Sequence, residues 1–239
     1  MEVKIFIATH KKFNYKPLEG YYPIQVGAEI SKENFGYLLD NINSNISSKN
    51  KNYCELTAYY WIWKNVNADI VGLCHYRRYL SKKNNLKWKY ILTTQDIEND
   101  LRKYDIILPA PNTWKGYSCY DFYIQAEGKE KDLIATRDII KDKYPEYIES
   151  FDYILNGNTA SYCNVMISTK KLFDTYCEWL FSILFELEKN IDITNYTIAE
   201  ARVYGYISEL LLNVWVYHNQ LKIKYYHLIN TENPNSFVK

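Results

Sequence analysis

Metal-binding cysteine pairs, long apolar runs and a strong net charge are all missing from this 239-residue sequence. The five cysteines are scattered, odd in number and never spaced as Cys-x-x-Cys, which argues against a zinc site and against a disulfide framework. Four of them lie in apolar contexts, as buried free thiols of a reducing compartment do. The net charge of +1 gives no support for a nucleic-acid-binding domain, which we expect to be strongly basic.

The sequence also lacks an uncharged apolar run of about 18 residues, the length that a transmembrane helix requires. The nearest candidate, residues 172–187, contains Asp174, Glu178 and Glu186. The first residues do not follow a signal-peptide pattern. We therefore expect a cytoplasmic protein.

The most informative stretch is an apolar run, residues 70–74, that ends in His75-Tyr76-Arg77-Arg78-Tyr79. The run has the length and composition of a buried strand. Cations at the tip of such a strand are costly unless an anion lies nearby, and ligands of α/β sheets bind beyond the carboxyl ends of strands. The pattern predicts a diphosphate site formed by Arg77 and Arg78, with His75 close to it. A strand followed by a solvated basic turn is the alternative.

Apolar runs and helical periodicity alternate along the chain and predict one α/β domain with a helix-rich C-terminal half. Predicted strands cover residues 3–8, 70–74, 105–108, 160–168 and 221–228, and predicted helices cover residues 53–64, 94–103, 131–143, 145–155, 172–189 and 199–218. The strand at 221–228 alternates apolar and polar residues and is expected at a terminal edge of the sheet. Residues 114–123 are expected to form an aromatic loop.

Two candidate site residues have structural explanations. Asn52 and Glu55 are spaced as a capping-box pair at the start of the predicted helix 53–64. Arg202 and Glu209 lie seven residues apart on one helix face, where they could form an ion pair. Thr94 is the expected cap of the helix that carries Asp96 in its first turn.

Several stretches together resemble the bacterial DUF4422 family, glycosyltransferases of capsule, exopolysaccharide and O-antigen loci. They are Ile7-Ala8-Thr9-His10-Lys11, Tyr53-Cys54-Glu55-Leu56-Thr57, Tyr60-Trp61-Ile62-Trp63-Lys64-Asn65, Gly72-Leu73-Cys74-His75-Tyr76-Arg77-Arg78-Tyr79, Tyr144-Pro145-Glu146-Tyr147, Asn164-Val165-Met166-Ile167, Tyr176-Cys177-Glu178-Trp179-Leu180-Phe181 and Arg202-Val203-Tyr204-Gly205-Tyr206 with Glu209. The family often has Met after the Asn-x-x-Ile stretch, where this chain has Ser168, and Glu-Arg-Leu where this chain has Glu209-Leu210-Leu211. A role for that missing arginine cannot be carried over.

The resemblance implies a GT-A-like (Rossmann-like) nucleotide-sugar-binding domain over residues 1–239, with a nucleotide-binding half (1–110) and an acceptor and sugar-pocket half (111–239). It implies transfer of a sugar, galactofuranose or galactose, from a UDP-sugar to a glycan or lipid-linked glycan in surface polysaccharide synthesis. GT-A enzymes hold a divalent metal with Asp-x-Asp, which does not occur in this chain. We expect Arg and His to hold the diphosphate without a metal or other cofactor. A Mn²⁺- or Mg²⁺-dependent enzyme that uses Asp69, Asp105 or Asp121 stays open.

The same resemblance suggests roles for individual residues. Thr9 and His10 are expected at the nucleotide end of the donor, and Asp40 at the uracil or ribose. Asn164 is expected within reach of the sugar hydroxyls. Glu209 is the first candidate for the general base of an inverting transfer, and Asp121 the second. The other expected substrate-binding residues are Glu55, His75, Tyr76, Arg77, Arg78 and Arg202.

Three other interpretations compete with or extend this one. The chain could be a non-catalytic module that binds a nucleotide or an anionic glycan. Its arginines and 25 tyrosines could instead bind nucleic acid, which the neutral net charge disfavours. The basic and aromatic residues 82–89 could lie on an anionic membrane or form a solvated turn. A lipid-linked acceptor would place the protein at the inner face of the membrane.

Overall fold

The apolar runs form the strands of an eight-stranded sheet in a computed structural model that describes residues 1–126 and 128–232. The strands are β1 (Val3–Thr9), β2 (Tyr21–Gln25), β3 (Leu38–Leu39), β4 (Ile70–His75), β5 (Arg78–Ser81), β6 (Ile106–Pro109), β7 (Asn112–Thr113), β8 (Thr159–Ala160), β9 (Met166–Thr169) and β10 (Ile223–Asn230). Of these, β7 and β8 pair with each other in a separate two-stranded antiparallel sheet. The helices are α1 (Asn50–Tyr53), α2 (Leu56–Asn65), α3 (Thr94–Leu101), α4 (Cys119–Gln125), α5 (Glu130–Lys143), α6 (Ile148–Asn156), α7 (Lys170–Asn190) and α8 (Val203–His218). The expected mixture of helices and strands in an α/β domain is confirmed.

The sheet has the order β3-β2-β1-β4-β5-β10-β6-β9, and β4 pairs with β9 as well. The extra pairing closes β4, β5, β10, β6 and β9 into a ring, while β1, β2 and β3 extend from β4 as a parallel wing. The pairs β4–β5, β5–β10, β4–β9 and β6–β9 are antiparallel. The sheet is therefore mixed, and it closes on itself on one side of β4.

The prediction of a terminal edge strand near residue 225 is wrong, because β10 lies inside the sheet. It pairs antiparallel with β5 and parallel with β6. Alternation of apolar and polar residues reports which face of a strand is buried, and both edges of such a strand can still be paired.

Helices pack on one face of the sheet, and the larger apolar core lies between them and the sheet. A smaller core lies on the other face, around α3. Helix α7 contributes most clearly to the larger core. Its apolar stripe is buried, and consists of Phe173, Tyr176, Cys177, Leu180, Leu184 and Leu187. Thr169 caps this helix by accepting a hydrogen bond from the Leu172 N–H.

Two elements predicted as continuous are broken by residues with positive φ. The helix expected over residues 53–64 is split into α1 and α2 at Cys54, which has a φ of 52°. The strand expected over residues 160–168 is split into β8 and β9 by Cys163 (φ 77°) and Asn164 (φ 47°). Side chains other than glycine rarely adopt such angles, so periodicity alone gave no warning of either break.

Two smaller local predictions also need correction. The expected aromatic loop 114–123 contains the start of α4, because Ser118 and Asp121 form a capping box there. Helix α3 is capped by Thr93 rather than by Thr94, and Asp96 completes the capping box.

Candidate active site

The carboxyl ends of β1 and β4 open into a cleft of about 330 Å³. The two strands are parallel neighbours with Ala8 opposite His75, and the Tyr76 N–H donates to the Ala8 carbonyl at 3.1 Å. The cleft is lined by Ala8, Thr9, His10, Val26, Asn50, Lys51, Cys54, Glu55, His75, Tyr76, Arg77, Arg78, Arg202, Gly205, Tyr206 and Glu209. Nine of the twelve residues expected to act in catalysis or substrate binding therefore line one cavity.

Three arginines give the cleft its positive charge. Arg77 lies in the tight turn between β4 and β5, and Arg78 begins β5 opposite His75. Arg202 comes from the other side of the cleft, immediately before α8, and its Nε donates to the Cys54 Sγ at 3.2 Å. The guanidinium groups of a turn, a strand and a helix start thus converge on one space that suits an anion.

Glu232 neutralises part of this charge at the rim. Its Oε1 lies 2.9 Å from the Lys11 Nζ, and its Oε2 lies 3.4 Å from the Arg77 Nη1. Both contacts are between largely exposed side chains, so they contribute little to stability and can be exchanged for contacts with another anion.

Glu55 lies at the break between α1 and α2 and makes no capping hydrogen bond with its side chain. The capping-box prediction is wrong, since the Asn52 amide instead donates to the Ala201 carbonyl at 2.7 Å. The Oε1 of Glu55 accepts a hydrogen bond from the Asn164 Nδ2 at 2.7 Å. Glu55 is therefore a cleft residue whose conformation is fixed by a buried amide.

Glu209 lines the cleft from the second turn of α8. Burial and the nearby Glu55 carboxylate raise its pKa to about 8, although Arg78 and a hydrogen bond from the Cys163 backbone act in the opposite direction. The expected ion-pair partner, Arg202, lies in a 3₁₀ turn and has Cys54 as its hydrogen-bond partner. Glu209 is thus neutral over much of the neutral pH range.

His75 is held at the deep end of the cleft. Burial and the nearby Arg78 lower its pKa to about 4, although Glu55 and a backbone hydrogen bond at Cys163 oppose the shift, so its ring is neutral at pH 7. Its Nε2 is buried and has no hydrogen-bond partner within residues 1–126 and 128–232. Burying a polar atom without a partner is costly, and the imidazole therefore keeps unused hydrogen-bonding capacity at this nitrogen.

His10 lies at the rim, with its ring edge-on to Tyr76 at 5.4 Å between ring centroids. Burial and the neighbouring Lys11 and Arg77 lower the pKa of His10. Thr9 is buried at the same strand end, and its Oγ1 donates to the Lys11 carbonyl at 2.6 Å. The side chain of Thr9 therefore orders the loop after β1.

Asn164 was expected to touch the sugar, but it lies behind the cleft with 1% of its surface exposed. Its Nδ2 lies 2.7 Å from Glu55 Oε1, 2.8 Å from Ser208 Oγ and 3.2 Å from the Gly205 carbonyl. Its own carbonyl accepts from the Tyr59 hydroxyl at 2.7 Å. The structure places Asn164 where it supports Glu55.

Asp40 is fully buried outside the residues that line the cleft. Its carboxylate accepts hydrogen bonds from the N–H groups of Gly27 (2.9 Å) and Ala28 (3.0 Å) and from the Ser47 hydroxyl (2.5 Å). Its complete burial away from the cleft gives uracil or ribose no access to these oxygens.

Asp121 also lies outside the cleft lining. Its Oδ2 accepts from the N–H (2.8 Å) and hydroxyl (2.6 Å) of Ser118 in the α4 capping box, and these bonds lower its pKa. The geometry gives Asp121 a structural function and leaves Glu55 and Glu209 as the carboxyl groups that line the cleft.

Cys54 and Gly205 are cleft residues that the sequence analysis did not assign a role. Helix α8 approaches the α1–α2 break so closely that a Cβ on Gly205 would lie 3.1 Å from the Cys54 Sγ. A glycine inside a strong helical pattern was the available signal for this close approach. Burial raises the pKa of Cys54 to about 12, so its thiol acts as a neutral packing and hydrogen-bonding group.

In the part of the chain that the structure describes, no three His, Cys, Asp or Glu side chains are grouped so that they could hold a metal ion. Within the same residues, no helix has the length and apolar character needed to cross a membrane.

Comparison with known proteins adds to this geometry. A solved structure described as the apo form of the WbbM bifunctional glycosyltransferase superposes on 98% of this chain with a TM-score of 0.89 and 33% sequence identity. The chain spans 46% of that protein, about half of its length. No curated protein matches the sequence. Residues 4–220 match the family described as "Domain of unknown function (DUF4422)", and the chain therefore belongs to the DUF4422 family.

Proposed function

We propose that this chain is a glycosyltransferase that moves a sugar from a UDP-sugar to a glycan or lipid-linked glycan acceptor. The observation that carries the proposal is the convergence of three arginines and two carboxyl groups in one cleft at the ends of β1 and β4. Fixed cations suit a diphosphate leaving group, and a carboxylate suits removal of a proton from an acceptor hydroxyl. The likeness to a bifunctional glycosyltransferase supports the same reading.

The diphosphate would bind to Arg77 and Arg78, with His10 at its rim. The starts of α2 and α8 add positive potential, because the first N–H groups of a helix carry a partial positive charge. In this proposal these groups replace the Asp-x-Asp motif and its metal in neutralising the charge that develops on UDP. Such charge stabilisation is often the largest contribution to transfer reactions.

His75 would recognise the donor sugar. Its neutral ring offers the unpartnered Nε2 at the deep end of the cleft, where a sugar hydroxyl could form a hydrogen bond with it. We propose galactose or galactofuranose as the sugar and surface polysaccharide as the product. In this GT-A-like arrangement, β1 and β4 belong to a nucleotide-binding half and α8 to an acceptor and sugar-pocket half.

Thermal-shift measurements with UDP, GDP, CMP and UDP-sugars test the binding step, since a ligand that binds the folded state raises the melting temperature. We expect stabilisation by UDP in the presence of EDTA. Release of UDP from UDP-galactose or UDP-galactofuranose then tests turnover. Binding without turnover would favour a non-catalytic module, and activity that requires added Mn²⁺ would overturn the metal-free proposal.

The segment 82–89 supports a peripheral membrane contact on the cytoplasmic face. Residues 82–87 are exposed. They consist of four consecutive charged or amide residues, the apolar Leu86 and Lys87, and the partly buried Trp88 follows them. Lysines beside an exposed apolar group favour anionic lipid surfaces. Co-sedimentation with phosphatidylglycerol vesicles that is lost in Lys83→Glu/Lys87→Glu would support the contact, and equal sedimentation of both proteins would contradict it.

A further inference from the structure

The two carboxyl groups of the cleft differ in how the protein holds them. Glu55 lies immediately before α2 and has one oxygen fixed by the Asn164 amide. Glu209 lies within α8, is buried, and accepts a hydrogen bond from the Cys163 backbone. We propose that Glu55 is the general base of the transfer and that Asn164 is the residue that positions it; this inference rests on the proposed function.

In the proposed step, the acceptor oxygen forms a bond to the anomeric carbon of the donor sugar. The proton of the acceptor hydroxyl moves to Glu55 Oε2. The bond between the anomeric carbon and the β-phosphate oxygen breaks, and its electron pair leaves with UDP. Atoms and charge balance without a further reactant, and a single displacement of this kind inverts the anomeric configuration.

Three features of its surroundings suit Glu55 to the role of general base. It precedes the first turn of a ten-residue helix, where a negative charge is stabilised. An amide N–H of Asn164 donates to its Oε1, and this leaves Oε2 as the oxygen that can accept a proton. Arg202 lies on the same side of the cleft as Glu55. Burial alone would lower the pKa of Arg202, but its interactions with Cys54 and Glu55 outweigh burial and raise this pKa, so Arg202 stays positively charged beside Glu55.

Glu209 is the less suitable base because it retains its proton near neutral pH. The groups that face it are Glu55 from the α1–α2 break, Arg78 from β5, Arg202 from the turn before α8 and the Cys163 backbone from the β8–β9 connection. Burial and Glu55 outweigh the other three and keep the pKa at about 8. In its neutral form Glu209 can donate a hydrogen bond to the bound substrate.

Asn164 is suited to positioning because it cannot move independently. Its left-handed backbone, its burial and its contacts with Ser208 and Gly205 fix the amide before any ligand binds. The adjacent Cys163 backbone contacts Glu209 and His75. One short turn therefore fixes both carboxyl groups and the imidazole of the cleft.

The sign of the pH dependence distinguishes the two carboxyl groups. If Glu55 is the base, UDP release from UDP-galactose by the wild-type chain falls above about pH 8, where Glu209 ionises and its negative charge repels the diphosphate of the donor. If Glu209 is the base, the rate rises towards pH 8. We expect Glu55→Gln to lower kcat about 10²–10⁴-fold with UDP affinity changed less than about threefold. We expect Glu209→Gln to lower kcat about tenfold or less and to remove the fall above pH 8.

Asn164→Asp and Ser208→Ala test the positioning residue. The Asp variant places a second carboxylate beside Glu55, so we expect kcat to fall at least tenfold while the dissociation constant of UDP stays within about threefold. Ser208→Ala is the matched control, because it removes another partner of Asn164 and leaves the bond to Glu55 intact. Melting temperatures and UDP binding confirm that each variant is folded.

The inference and the proposed function fail in different ways. If wild-type protein neither binds UDP nor releases it from UDP-galactose or UDP-galactofuranose, the proposed function fails and the base assignment fails with it. If wild-type protein turns over and Glu55→Gln retains more than about a tenth of its kcat, only the base assignment is overturned. If Asn164→Asp and Ser208→Ala lose kcat equally, Asn164 is not a positioning residue.

Discussion

Two buried polar clusters follow the strands of the parallel wing, and they differ in how completely they are satisfied. Around Asp40, two backbone N–H groups and the Ser47 hydroxyl converge on one carboxylate. In the cleft, the His75 Nε2 has no partner among the described residues, and Glu209 is held near a like charge. The first cluster orders residues 26–47, whereas the second leaves hydrogen-bonding capacity for a ligand.

The comparison shows why burial of a polar residue is not by itself evidence of function. A fully hydrogen-bonded buried carboxylate stabilises the local fold, because removing it exposes several donors without partners. A cluster with shifted pKa values and an unpartnered atom costs stability and is retained where chemistry needs it. Both clusters contain residues that the sequence analysis assigned to substrate binding, and only the contacts separate them.

Asp40→Ala should have the largest effect on stability of the variants considered. It leaves the N–H groups of Gly27 and Ala28 and the Ser47 hydroxyl without their acceptor, at a cost of about 3 kcal/mol or more. Urea unfolding followed by circular dichroism measures the loss. UDP affinity of the folded fraction should be unchanged. A loss below about 1 kcal/mol, or UDP binding weakened tenfold in folded protein, would place Asp40 in the site after all.

Arg78→Ala should show the opposite behaviour. Loss of a charged contact to the diphosphate should weaken UDP binding about 10- to 100-fold, equal to about 1.4–2.8 kcal/mol, by isothermal titration. The melting temperature should fall less than in Asp40→Ala, although Arg78 also faces Glu209 in the folded chain. Arg137→Ala is the control, since Arg137 forms a bidentate ion pair with Asp152 on the surface at 2.8 and 2.6 Å. Equal UDP affinity in Arg78→Ala and wild type would remove Arg78 from the site.

The free energy of unfolding of Glu209→Gln should increase relative to that of the wild type as the pH rises. The pKa of Glu209 is about 8 in the folded chain and near 4.3 in an unfolded one, so between these values the folded state binds a proton that the unfolded state releases. Stability from this group is therefore complete below about pH 4.3 and lost as the pH rises through 8. Glutamine removes that dependence.

The difference in melting temperature between Glu209→Gln and wild type measures this effect, because the contributions of other groups cancel. Between pH 5.5 and 8.5 we expect the variant to gain about 1–2 kcal/mol relative to wild type, or roughly 3–6 °C, after allowance for solvent in the cleft. A difference that stays constant over this range would show that Glu209 titrates normally.

The sequence predicted the location of the cleft and failed on its inner geometry. The His75–Arg78 block and the Thr9–His10 strand end lie together because parallel neighbours β1 and β4 bring their carboxyl ends to one edge, which strand patterns can indicate. The positive φ angles at Cys54 and Cys163 have no such signature, since neither is a glycine. These two breaks decide that Glu55 enters the cleft.

The closed ring of strands was not predictable either. Pairing of β4 with β9, and the insertion of β10 between β5 and β6, join residues more than 90 positions apart. Local periodicity carries no information on such partners. Asp121 shows the same limit at short range, because a capping carboxylate and a catalytic one look alike until the Ser118 hydrogen bonds are seen.

Glu232→Gln should produce the smallest effect and sharpens the contrast between fixed and exchangeable contacts. Glu232 pairs with Lys11 and Arg77 at the rim, where an incoming diphosphate would compete for the same cations. Exposed ion pairs contribute about 0.2–1 kcal/mol, so removing the carboxylate should tighten UDP binding by about five-fold at most. The gain should shrink as NaCl is raised from about 0.05 to 0.5 M, because salt screens exposed charges. Weaker binding of UDP by Glu232→Gln would instead mean that Glu232 holds Lys11 and Arg77 in the geometry that the nucleotide needs.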